Sequence, residues 1–382
     1  MIPLSVPEIR GNEWVYVKKC LDTSWVSSAG QYVTRFEDMI AKCLGVAHAV
    51  ACVNGTAALH LALLVVGVKP DDEVLVPALT FVAPANTVRY VGAWPVFVDV
   101  DPVHWQMDPE KVQRFLREEC IRRNGGLYNR ISGRKVVALL PVDILGHPVD
   151  MDPLRALARD YGLTIIEDAT ESLGARYKDH PVGSGVPIAC LSFNGNKIIT
   201  TGGGGMIVTD NEQLASRARY LSTQAKDDPV EYVHESIGFN YRLTNIQAAL
   251  GVAQMEQLDM FIQKKHAIAQ RYRGAFSVLP GIVLQPQASW AQSTFWLSTV
   301  RVDPEGFGMD SRALMKHLAG QGIEARPLWH PLHTLAPFRQ CQAYEVALAQ
   351  QLYKECLCLP SSVGLTDEDQ TRVIGAIRGA CS

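Results

Sequence analysis

The chain has 382 residues, 47% hydrophobic and 20% charged, a make-up that suits a soluble globular protein and excludes a disordered one. At about 150 residues per domain the length predicts two domains, and a chain this long buries a large core without disulfide or metal staples. Lys and Arg number 36 against 39 Asp and Glu, a formal charge of −3. That charge offers no general attraction to nucleic acid or to an anionic membrane.

The N-terminal stretch MIPLSVPEIRGNEW lacks a basic leader followed by an apolar core, so secretion is not expected. Short β-branched runs then alternate with helical patterns. Residues 49–52 predict a strand and 56–66 the helix after it. The most apolar stretch, 46–68, is interrupted by His48, Asn54, Thr56 and His60 and is too polar to span a bilayer. Residues 73–76 and 96–99 predict strands, with a helix between them from near Ala83. The segment CIRRNGGLYNRISGRK, 120–135, predicts a basic hairpin with solvated arginines. Further strands are expected at 135–140, 163–167, 189–193 and 206–209, with a helix at 153–161. Strands of this length separated by helices predict a mainly parallel sheet covered on both faces.

After Thr244 the texture changes. Residues 245–276 are nearly free of Gly and Pro and carry apolar residues at helical spacing, which predicts one or two long helices. Prolines from Pro280 to Pro360 then punctuate a smaller region as turns. The division expected is a large α/β domain over 1–260, then a linking helix and a small α+β domain over 261–382. The nine cysteines form no CxxC pair, so neither a disulfide framework nor a zinc site is expected, and a reducing, cytoplasmic setting is.

Chemistry concentrates in IIEDATESLGA, 165–175, and SFNGNKIITTGGGG, 192–205. Asp168 follows a strand, where open α/β sheets place ligands. Lys197 lies on a loop flanked by Gly195 and a four-glycine run, which lets backbone approach a bulky ligand. An acid that holds a pyridine nitrogen protonated and a lysine that forms a Schiff base are the pair that pyridoxal phosphate requires. Alone, each is weak: such an aspartate is more often a cap, such a lysine more often surface. In VNGTAAL a strand turns through Gly55 into a helix whose first free amides, those of Thr56 and Ala57, suit a phosphate. A plain capping role for Thr56 is the alternative.

The ordered set NGTAAL, PALTFVAPAN, EDATES, SFNGNKIITTGGGG and GFNYRLTNIQAAL resembles the DegT/DnrJ/EryC1/StrS family of sugar aminotransferases, from about Pro3 to Pro360. The resemblance implies a fold-type I pyridoxal 5'-phosphate enzyme: a large domain with a mixed, mainly parallel sheet between helices, plus a smaller C-terminal α+β domain. Its finer details look most like the branch that aminates nucleotide-linked 4-keto-6-deoxy-N-acetylhexosamines in legionaminic acid and bacillosamine pathways, with glutamate as donor. By the same resemblance Lys197 is the Schiff-base lysine and Asp168 the partner of the ring nitrogen. Thr56, Ala57 and Ser192 hold the phosphate, and Phe81 stacks on the ring. Asn240 reaches the phosphate of a neighbouring subunit, which implies a homodimer. His333 lies near the sugar nucleotide, with His330 and Trp329 beside it.

The chain departs from the family pattern in places. Glu171 stands where many members have Gln beside the cofactor's phenolic oxygen, and a carboxylate there repels a phenolate unless protonated or turned away. Asp143 replaces an expected His, and His147 an expected Gln. Two other functions compete. A nicotinamide-dependent sugar oxidoreductase also suits an α/β chain, but residues 202–205 are not G-x-G-x-x-G after a first strand. A non-catalytic member of the same fold would be signalled by loss of Lys197 or Asp168, and both are present.

Overall fold

Runs too apolar to face water on either side, such as EVLVP at Glu73–Pro77, are buried at every position, as strands inside a doubly covered sheet must be. The computed structural model describes residues 1–228 and 230–381. Its ten-stranded sheet runs His48–Cys52, Gly205–Thr209, Ile188–Ser192, Thr164–Asp168, Lys135–Leu139, Glu73–Pro77, Trp94–Val98 and Ala343–Tyr344. The expected basic hairpin, Cys120–Arg123 with Gly126–Asn129, joins it through Lys135–Leu139. Neighbours from Ile188–Ser192 to Ala343–Tyr344 are parallel. Gly205–Thr209 runs against both of its neighbours, so the sheet is mixed.

Cys52, Asp168 and Ser192 therefore end at one edge of the sheet, and whatever follows them meets there. Helices Gly55–Val65, Ala83–Tyr90, Met151–Tyr161 and Asn245–Met255 occupy the segments expected to be helical. The last begins in a capping box between Thr244 and Gln247. Helices Glu13–Asp22, Gln31–Leu44, Pro109–Glu118 and Glu212–Ser222 are additional to those expected.

A second core gathers Ile268, Tyr272 and Phe276 of helix Leu258–Phe276 with Val300, Leu357 and Ile377, and it includes Ile2. Its sheet is Ile282–Leu284, Thr299–Val302, Cys356–Cys358 and Arg326–Pro327, antiparallel throughout. The chain crosses between the cores repeatedly. Asp99, buried at the end of a large-sheet strand, accepts the Leu348 and Ala349 N–H groups at 2.8 Å each and so caps helix Ala347–Glu355 from a distance in sequence. Among the described residues no helix is long and apolar enough to cross a membrane.

Lys265 sits in this seam, 2% exposed. It donates to the Trp296 carbonyl at 2.8 Å and to that of Ser361, and burial pushes its pKa down from 10.5 to about 7. The unfolded chain keeps this proton up to the ordinary lysine range, whereas the folded chain releases it near 7. Between those values the unfolded state binds more protons, so this group's contribution to stability rises with pH; below 7 its burial penalty is fully present. Lys265→Met removes that slope and leaves two carbonyls unpaired, a cost independent of pH. The stability of wild type relative to the variant should rise by about 3 kcal/mol from pH 7 to pH 10. Urea unfolding at each pH measures this, and a pH-independent difference would show that the folded protein keeps the proton.

Candidate active site

At the strand edge the chain leaves Cys52, turns at Asn54 and enters helix Gly55–Val65. Asn54 caps it: its Oδ1 accepts the Ala57 N–H at 2.7 Å. This corrects two expectations. Thr56 is not the cap, and the Ala57 amide is taken; the free amides belong to Gly55 and Thr56, the first residues of the helix. They open on Ser192, whose Cβ would lie 2.9 Å from a Cβ at position 55. A cradle of two amides, a helix N-terminus and a serine hydroxyl is suited to a phosphate.

Thr56, Phe81, Asp168, Glu171, Ser192, Lys197 and Trp329 all line one cavity of about 350 Å³, joined by Asn54, Thr170, Asn194 and Trp296 among others. Asp168 forms the floor, 2% exposed and hydrogen-bonded by Thr170. Burial raises its pKa, while Thr170 and the Lys197 charge pull it back. Phe81 keeps 52% of its surface exposed, a free aromatic face at the cavity.

Lys197 comes from the loop between antiparallel strands Ile188–Ser192 and Gly205–Thr209, pinned by Phe193 N–H on the Gly204 carbonyl at 2.8 Å and Lys197 N–H on that of Asn194 at 3.0 Å. Its Nζ lies 3.3 Å from Glu171 Oε1 and 4.1 Å from the centre of the Trp296 ring. The Trp296 indole N–H donates to the Asn196 carbonyl at 2.6 Å, which locks the ring beside the lysine. Trp296, far along the chain and preceded by no recognisable signal, was not among the expected site residues.

Glu171 is neither turned away nor free. Burial pushes its pKa up, against the Lys197 charge and the Leu145 N–H. Asp143 lies behind this wall, accepting the Val149 N–H and the Ser172 hydroxyl at 2.8 Å each. His147 accepts the Ala288 N–H on Nε2 at 3.0 Å and contacts the Pro148 carbonyl through Nδ1 at 2.7 Å. Burial pushes it down to about 4, so it is a neutral structural bridge.

Four expected residues do not line the cavity, Ala57 being the first. His330 hydrogen-bonds Thr334 and packs 4.7 Å from the Tyr353 ring, and His333 pairs with Gln350 at 2.9 Å. Asn240 is exposed, on a segment held by the Val53 N–H on the Tyr241 carbonyl at 2.8 Å and by Arg242 against buried Glu37. His60, on the cavity-side helix, packs between Phe239 and Tyr90 with Tyr241.

The residues present fit pyridoxal 5'-phosphate. The cradle at Gly55 takes a dianion, the buried Asp168 carboxylate wants a cationic partner, Phe81 offers a stacking face, and Lys197 supplies the amine. The sequence profile of the DegT/DnrJ/EryC1/StrS aminotransferase family matches residues 7–378. The GDP-perosamine synthase of Caulobacter vibrioides is 40% identical over 377 residues, 98% of this chain and 97% of that one. That of Escherichia coli O157:H7 is 36% identical over 96% of this chain and 95% of its own. Among solved structures, DesV of S. venezuelae superposes with a TM-score of 0.87 at 32% identity, over 97% of this chain and 94% of that one. Together with a cavity built for the cofactor, these matches set aside the nicotinamide alternative: the chain belongs to the DegT/DnrJ/EryC1/StrS family and is a pyridoxal phosphate-dependent sugar aminotransferase.

Proposed function

We propose that this aminotransferase converts a nucleotide-linked 4-keto-6-deoxy-N-acetylhexosamine to its 4-amino sugar, with glutamate as donor, for a bacterial surface glycan. The observation that carries the reaction type is the convergence of Lys197, Asp168 and the Gly55 amide turn on one cavity. A second reading keeps the reaction and changes the sugar nucleotide. The relatives named GDP-perosamine synthase favour a GDP-linked substrate. The enzyme would work in the cytoplasm as a homodimer, with no nucleic-acid or membrane partner.

When bound, the cofactor supplies a carbonyl carbon that accepts the donor's nitrogen and a cationic ring that absorbs the electrons of a carbon losing its proton. Gly55, Thr56 and Ser192 would hold its phosphate, and Asp168 would keep the ring nitrogen protonated. Phe81 would fix the ring plane. Lys197 would hold the cofactor through Nζ and, once free, would carry a proton as general acid and base. Trp296 and Trp329 would narrow the mouth and exclude water, which strengthens every charge interaction inside.

Turnover of a panel of UDP-, GDP- and dTDP-linked 4-keto sugars with glutamate tests the assignment, with Lys197→Ala as the reference. That variant should fold, retain the phosphate cradle and show no turnover above a blank with free cofactor. Steady-state transamination by it would overturn the role of Lys197.

Asp168→Asn should retain the cofactor and lose about a hundredfold or more in kcat, since an amide can hydrogen-bond the ring nitrogen without holding it protonated. Wild-type kcat would move the search for that partner to Glu171.

Asn240 lies outside its own chain's cavity, which suits a side chain that serves a partner subunit. Reassembling Lys197→Ala with an inactive Asn240→Ala chain then gives a mixed dimer with one doubly defective site and one intact site. Activity should return in proportion to the heterodimer. No recovery, with the heterodimer confirmed by mass, would mean that Asn240 serves its own chain or none.

A further inference from the structure

Two donors converge on Glu171. The Leu145 N–H bonds Oε2 at 2.9 Å, and Lys197 Nζ lies 3.3 Å from Oε1. Both side chains are withdrawn from water, 4% exposed for Glu171 and 13% for Lys197. Leu145 takes φ +63°, a left-handed conformation that costs a branched residue about 1–3 kcal/mol. Its neighbours over-determine it: Asp143 is tied to Val149 and Ser172, and a side chain at Gly146 would strike Thr294. The strained turn thus aims an amide into the site.

A residue at position 171 must accept at both ends. A carboxylate does so; a glutamine whose oxygen takes the Leu145 N–H turns its N–H₂ to Nζ, which can accept it only as the neutral amine.

We propose that Glu171 is the proton partner of Lys197: Oε1 takes the proton that the ammonium sheds when the amine is needed as a nucleophile, and returns it when the lysine is set free. The inference rests on Lys197 being the cofactor-bearing residue. In the transfer an N–H bond at Nζ breaks and an O–H bond at Oε1 forms, with no other reactant. At rest the pair is ammonium and carboxylate, so the counter-charge holds the proton on Nζ; the transfer turns it into an amine–carboxylic acid pair and leaves no separated charge in the desolvated site.

The other ionisable groups facing the pair are Asp168, whose charge acts on both, and Cys358, from the strand Cys356–Cys358 behind Glu171. Trp296 covers Nζ and does not titrate. Asp168 takes its hydrogen bonds from Thr170 and has none from Lys197, so Glu171 is the acceptor in reach. Burial raises the Glu171 pKa, which brings the acid closer to the range in which it exchanges a proton with an amine.

The test needs neither cofactor nor substrate, so it is separable from the identity of the sugar. Full-length protein freed of cofactor is pulsed with acetic anhydride across a pH series, and mass spectrometry reads acetylation of Lys197 Nζ. Removing the counter-charge in Glu171→Gln should lower the midpoint of that profile by about 1–3 pH units. Glu171→Asp, which retains the charge on a shorter arm, should restore it in part. An unchanged or raised midpoint in a folded Glu171→Gln protein would overturn the proposal. Should that variant fail to fold, the reciprocal measurement decides. Lys197→Met should carry the infrared band of the protonated Glu171 carboxyl to higher pH than in wild type, and an unmoved band would overturn the proposal equally. Loss of turnover in Lys197→Ala is read separately, so failure of the lysine's assignment and failure of its proton partner are distinguishable.

Discussion

The turn at Asn54 can lie against the sheet because position 205 has no side chain. Gly205 is paired with Cys52 on one side and Ser192 on the other, and a Cβ there would collide with the Asn54 backbone. Everything in the cavity follows from that close approach. It brings the helix start within reach of the Ser192 hydroxyl, and Asp168 ends one strand further along the same edge. Because Gly205–Thr209 is antiparallel to Ile188–Ser192, the connection between them returns to this edge and delivers Lys197 into the space the turn leaves. A steric fact at one glycine sets the spacing of the helix start, Asp168 and Lys197 around the cavity.

Charge then decides what the space can hold. Asp168 and Glu171 are both buried at the floor and wall, and burial alone would drive each towards its neutral form. Lys197 is the cation common to both, and it is placed against the wall rather than the floor. Asp168 is left with the hydrogen bonds of Thr170 and an unmet preference for positive charge in the cavity. A protonated ring nitrogen of a bound cofactor would supply that charge. Of the two buried carboxylates, Glu171 is the one paired with Lys197, and Asp168 is the one left facing the cavity without a cation within hydrogen-bond reach.

Much of this was legible because it is local. The strand-to-helix turn, the acid after a strand and the lysine before a glycine run are contiguous motifs, so Thr56, Asp168, Ser192 and Lys197 could be named from sequence and do share a cavity. The errors were local too. Asn54 as cap follows from the N-G-T order, since Asn is a stronger cap than a Thr already inside the helix. Helix Pro109–Glu118 carries an Asp108 cap and a Pro at its first position, local signals that mark its start. Helix Gln31–Leu44 starts at Gly30 without a side-chain cap, so its boundary had no such mark. Trp296 was invisible for a different reason: its placement depends on a hydrogen bond to Asn196, a hundred residues away in sequence, and no local pattern encodes that.

The C-terminal region is therefore part of the site rather than an appendage to it. Trp296 and Trp329 both line the cavity, and both come from the chain beyond helix Leu258–Phe276. Trp296 is held at its ring by Asn196 and at its carbonyl by the buried Lys265, which also grips Ser361. These ties are polar and buried, so separating the two cores would leave charged and carbonyl groups unpaired, at a cost of about 1–3 kcal/mol for each. The wall opposite Glu171 is thus kept stiff by the same contacts that join the cores. A ring free to swing would admit water to the Lys197–Glu171 ion pair and screen it, and the hydrogen bond to Asn196 prevents that swing.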